Sequence, residues 1–89
     1  MRAIITVIGK DKVGIVAGVA TELVKYNINI IDISQTIMGD IFTMILMVNL
    51  EKTKESFDEV KKDLAEEGLK LGVDIKIQRE EIFNSMHTV

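Results

Sequence analysis

The sequence predicts an α+β sandwich, four antiparallel strands with two helices on one face. Short β-branched runs alternate with two stretches of helical periodicity, in the order β-α-β-β-α-β. Met38-Gly39-Asp40 joins the second and third strand runs, which therefore read as a hairpin. The 89 residues are 47% hydrophobic but only 4% aromatic, enough for one aliphatic core in a single domain spanning 1–89.

Arg2–Ile8, RAIITVI, is compact and β-branched and reads as the first strand. In GIVAGVATELVKYN, residues Val16, Val19, Ala20, Leu23 and Val24 recur at i, i+3, i+4, i+7 and i+8, which is one face of a helix. Asn27 supplies its stop. Asn29–Ile37 alternates, with Ile31, Ile33 and Ile37 on one side and Asp32, Ser34 and Thr36 on the other. Ile41–Leu50 is the third strand. TKESFDEVKKDLAEEGLKLG is the second helix, with an apolar stripe of Phe57, Val60, Leu64 and Leu71. Ser56 and Glu59 match a capping box, Thr53 is the competing cap, and Gly72 ends the helix. VDIKIQ alternates again as the fourth strand, Val73, Ile75 and Ile77 against Asp74, Lys76 and Gln78. In the tail, 81–89, Ile82, Phe83 and Met86 suit one short amphipathic helix. Two split βαβ units on one sheet make the ferredoxin-like sandwich.

Strands one and three are apolar on both sides. Phe42, Met44, Leu46 and Val48 oppose Ile41, Ile45 and Met47; Ala3, Ile5 and Val7 oppose Ile4 and Ile8. A sheet with helices on one face needs a polar second face, so the surplus predicts that another subunit covers the open face or a strand edge. A homo-oligomer, first of all a dimer, is the expected assembly.

Composition excludes several classes. With no cysteine there is no disulfide, thiolate metal site or cysteine nucleophile. A net charge of −3 opposes capture of nucleic acid, and the strands lack the aromatic platform that RNA stacking needs. The longest apolar run, Ile41–Leu50, is too short to span a bilayer. A soluble, cytoplasmic protein is expected. The single histidine, His87, stands in the tail near Ser85 with no third group to orient the pair. The acidic residues of the second helix alternate with lysines, as on a solvated face. No catalytic residue, metal site or cofactor is expected, and the chain is read as non-enzymatic.

One segment carries chemistry. In IGKDKVGIVAGV, Ile8–Val19, a strand passes through a charged loop to a helix opened by Gly14. The first N–H groups of a helix have no intrahelical partner, and with the helix dipole they favour an anion such as a carboxylate. Gly14 lets a ligand approach the backbone, and Asp11 could meet an ammonium group. Two readings stay open on residue chemistry alone: a site for a zwitterion, or a polar corner in which Gly14 only permits the turn. GKDKVG matches neither phosphate-loop pattern.

The stretch Ile8–Gln35 resembles the ACT domain: an apolar strand, a polar loop, Asp11-x-x-Gly14 followed by two aliphatic residues, an apolar helix, then Asn29-Ile30 opening the next strand. Element order and length extend the likeness over nearly the whole chain. It looks closest to the uncharacterised bacterial and archaeal proteins that consist of a single ACT domain. The resemblance implies regulatory, allosteric binding of a small ligand, usually an amino acid, between subunits. The loop after strand one and the start of strand two of a neighbouring copy would form the site. Carried over residue by residue, that site is Asp11, Lys12, Val13, Gly14, Ile15, Asn29 and Ile30. Val13 replaces a proline common in the family, and Gly9 stands where some amino-acid binders carry a polar side chain. ACT domains usually regulate an attached domain; here the partner would be an enzyme or regulator in trans. The alternative is a protein-interaction or oligomerisation module with no small ligand.

Overall fold

The computed structural model describes residues 1–10 and 14–81. Within them the elements are β1 (Arg2–Lys10), α1 (Ile15–Lys25), β2 (Asn29–Met38), β3 (Ile41–Asn49), α2 (Phe57–Leu71) and β4 (Val73–Arg79). The strands form one antiparallel sheet in the order β2-β3-β1-β4. β1 and β2 are parallel with β3 between them, and β3 and β4 are parallel with β1 between them. The ferredoxin-like sandwich is thus present as expected. The tail residues Ile82, Phe83 and Met86 lie outside the described residues, as does His87.

Register decides the core. Ala3, Ile5 and Val7 of β1 sit opposite Val48, Leu46 and Met44 of β3, and Ile75 and Ile77 of β4 complete the same face. These side chains, with Ile15, Val19 and Leu23 of α1 and Val60 and Leu64 of α2, form one buried cluster. The core is mainly aliphatic, as the composition requires, with Tyr26 and Phe42 its aromatic members.

α2 ends as its sequence specifies. The Ser56 hydroxyl accepts the Glu59 N–H at 3.2 Å, so Ser56 is the cap and Thr53 is not. Gly72 closes the helix in the left-handed conformation, φ 75°. Replacing Ser56 by alanine is expected to cost about 1 kcal/mol. Urea denaturation would show a lower midpoint at unchanged slope; an unmoved midpoint would mean the cap contributes nothing.

Two expectations need correction. Of the predicted stripe of α1, Val19 and Leu23 are buried, but its edge is misplaced. Ile15, Val19 and Leu23 point inward, while Val16 is 42% and Val24 77% exposed. Tertiary contact sets the roll of the helix. An added Cβ on Gly18 would lie 2.9 Å from a methyl of Leu71, so α1 approaches α2 closely at that glycine. The second correction concerns β2. Its alternation predicts a half-buried strand, yet every residue from Asn29 to Met38 is exposed. β2 is a sheet edge, and a bulge between Ile30 and Asp32 removes Ile31 from the ladder. Ile30, Ile33 and Ile37 pair with Val48, Leu46 and Phe42 and so face the helix layer, but no helix covers them.

Candidate functional site

α1 begins at Gly14, whose φ of 92° and ψ of −4° are left-handed values that favour glycine. A Cβ there would meet nothing within 4 Å among the described residues. The Gly14 carbonyl accepts the Gly18 N–H at 2.8 Å, closing the first helical turn. Among the described residues no side chain caps this terminus, and no acidic residue stands in its first turn. The leading N–H groups of a helix have no intrahelical partner and suit a small anion. Ile15 contributes only its backbone, because its side chain is 2% exposed and belongs to the core. Asp11, Lys12 and Val13 lie outside the described residues.

Gly9, next to the end of β1, offers no side chain to this space. Gly9 is paired with Val73, and a Cβ on it would stand 2.5 Å from the Val73 Cγ1. Where a polar group could have projected, the start of β4 fills the room.

Asn29 and Ile30 lie at the other end of the sheet. Arg2, Asn49 and Asn29 are aligned across β1, β3 and β2 at one end; Lys10, Ile41 and Met38 are aligned at the opposite end, where Gly14 is also found. The helix between them alone is about 17 Å long. Within one chain the predicted site is therefore split into two halves that do not meet. Asn29 lines a cleft of about 250 Å³ with Asn27, Ile28, Asn49, Glu51 and Lys52. Sequence reading missed Asn27, Asn49, Glu51 and Lys52. The cross-strand alignment of Asn49 with Asn29 could not be known without the register of the hairpin. Among the described residues no group of histidine, cysteine, aspartate or glutamate is placed to hold a metal ion, and no helix is long and apolar enough to cross a membrane.

A family model described as ACT domain matches residues 2–78. The chain belongs to the ACT domain family. Among solved structures, this ACT domain is similar to an ACT domain protein from Streptococcus pneumoniae, with a TM-score of 0.83 and 44% identity over 93% of each chain. A UPF0237 protein of Clostridium acetobutylicum is 63% identical over the full length of both chains. An archaeal UPF0237 protein, from Methanocaldococcus jannaschii, is 46% identical across 99% of this ACT domain and 98% of its own length. The likeness to single-domain proteins of bacteria and archaea is therefore met at full length.

Proposed function

We propose that this ACT domain is a non-catalytic cytoplasmic sensor that binds an amino acid between two copies and acts on an enzyme or regulator in trans. The observation that carries the reading is the division of the site. The anion-accepting start of α1 and the amide-bearing start of β2 lie at opposite ends of one chain, so a shared site needs a second chain.

The β2 edge supplies a way to bring them together. It has one charged residue, Asp32, and no proline. The opposite edge, β4, carries Asp74, Lys76 and Arg79. Charged side chains are the usual protection of an edge against pairing, and β2 has only Asp32. Two β2 strands paired antiparallel would set Asn29 of one copy beside Met38 of the other, at the sheet end where β1 finishes and α1 begins. The same pairing would bury Ile33 and Ile37. It would also bring together the flank of α1 that carries Val16 and Val24, which is turned away from Gly18 and hence from α2. Ligand bound across the pair would favour the paired state through its differential affinity.

Titration calorimetry with the common amino acids, alongside light scattering for mass, tests the reading. Heat with at least one amino acid and a concentration-dependent shift toward the dimer are expected. No heat with any of them and no change of mass would discard it.

A second reading has its own support. Ile8, Ile41 and Ile45 are exposed on the open sheet face, and Ile4, Asp32, Ile33, Ser34, Ile45 and Met47 line a groove of about 280 Å³ there. An interaction module would use that face for a different protein. A stoichiometric protein partner retained without any small molecule would favour it.

A further inference from the structure

The open face of the sheet has a covered end and a bare end. Ile4 and Ile8 of β1 and Ile41, Ile45 and Met47 of β3 project from it, because they alternate with residues of the core. Between Arg2 and Lys10 on β1, and along all of β3, these two central strands carry no charged residue. Ile8 is 44% and Ile45 40% exposed, as on an uncovered face. Ile4 is only 5% exposed, yet it does not belong to the core cluster. Its end of the face is the one at which the chain leaves β4.

The departing chain is tied to that corner. One rung beyond the Ala3–Arg79 pair, the Arg2 Nε and the Glu80 Oε2 form an ion pair at 2.7 Å. Arg2 alternates with buried Ala3 and so stands on the open side, and its Nη2 also reaches the sulfur of Met47, the cross-strand partner of Ile4. The ion pair therefore draws the chain toward the open face, and the Glu80 Oε2 is withdrawn from solvent there. Glu80 and Glu81 have helical backbone, so the strand direction is given up at this point. The sequence that follows, IFNSMHTV at 82–89, has no aspartate, glutamate, lysine or arginine. At helical spacing Ile82, Phe83, Met86 and Val89 share one arc, and Asn84, Ser85, His87 and Thr88 the opposite one. Eight helical residues are about 12 Å long, and Ile4 to Ile8 spans about 14 Å of β1.

We propose that residues 82–89 fold back as a short helix over the open face of their own sheet, with Phe83 and Met86 on Ile4, Ile45 and Ile8. Other occupants could bury the same isoleucines, but the segment has the advantage of attachment. It starts at the corner where Ile4 is already covered, and a short link of this kind gives an effective concentration of about millimolar. The chargeless arc meets a chargeless strip, so no ion has to be stripped of water on contact. The β2 edge is a poorer seat, since it lies across the whole sheet from β4, three strand spacings or about 14 Å away. The docked segment makes a second, smaller apolar layer and leaves the β2 edge as the surface through which copies pair. A different protein that uses the open face must first displace it. None of this depends on an amino-acid ligand.

Methyl NMR of the full chain with labelled isoleucines makes the test. Nuclear Overhauser contacts between the Phe83 ring and the methyls of Ile8 or Ile45 are expected within one chain. Phe83→Leu should remove them and shift those methyl signals, while the signal of Ile5, in the core, stays in place. Chymotrypsin gives a second readout, because it cuts after phenylalanine and the docked segment hides Phe83. Cleavage there should be about tenfold faster or more in Ile45→Lys than in the parent, since it tracks the population of the released segment. Ile45 lies outside the core cluster, so the variant keeps its fold. Absence of any contact from Phe83 to Ile8 or Ile45 overturns the proposal, as do contacts to Ile33 or Ile37 in their place. Equal cleavage of the parent and Ile45→Lys overturns it too. Contacts found only between differently labelled chains would put the segment on a second copy and overturn it in the same way.

Discussion

Lysine in place of Ile33 is expected to prevent the proposed pairing of two copies and to abolish the proposed amino-acid binding with it. Ile33 lies near the middle of β2 and is 41% exposed on the side that faces the helix layer. In an antiparallel pair of β2 strands the two copies of this residue come close together. Two lysines there would repel and would have to be stripped of water. Lysine is also the residue that natural edge strands use to prevent pairing. Because Ile33 is not part of the buried cluster, the fold itself should survive, with a melting temperature changed mainly by the loss of the partner. Light scattering would read the mass, and calorimetry the ligand. Ile45→Lys is the matched control, since Ile45 is equally apolar and exposed but lies on the open sheet face. A dimer that survives Ile33→Lys and is lost in Ile45→Lys would move the interface from the edge to the open face.

The largest loss of stability is expected from Leu64→Ala. Leu64 is fully buried at the centre of α2, within the single core cluster. Removing its isobutyl group loses transfer energy and leaves a cavity that strands on one side and helix on the other can only partly close, at about 2–5 kcal/mol. A domain of this size has in total about 4–13 kcal/mol to lose. A loss of about 3 kcal/mol would lower the melting temperature by about 12–24 °C. Leu69 sits on the same helix but is 81% exposed, and Leu69→Ala should change stability by less than about 0.5 kcal/mol. Scanning calorimetry of both variants checks the contrast. Equal effects would mean that α2 packs on the sheet by another face.

Most of the fold could be read from local chemistry. The helix stop at Gly72, the cap at Ser56, the glycine turn at Gly39 and the alternation of β4 are each written in a few adjacent residues. Properties set by distant partners were harder to read. The roll of α1 is decided by Gly18 against Leu71, residues far apart in sequence, so a periodicity that found Val19 and Leu23 also admitted Val16 and Val24 and left out Ile15. The exposure of β2 follows from its place at the sheet edge, which alternation cannot report, and the bulge at Ile31 breaks that alternation locally. For the candidate site, Gly14 was legible because its conformation needs glycine. Asn29 was legible through family likeness. Asn49 and Lys52 reach the cleft only because β3 ends beside the start of β2.

The asymmetry between the two sheet edges also limits how far assembly could go. Pairing β2 to β2 uses the same surface on both molecules, so the contact is isologous and consumes both sticky edges at once. The outer strands of the joined sheet would then be two copies of β4, each fringed by Asp74, Lys76 and Arg79. Had both edges been bare, strand addition could have continued head to tail into a filament. With one edge bare and the other charged, growth stops by symmetry at a closed pair.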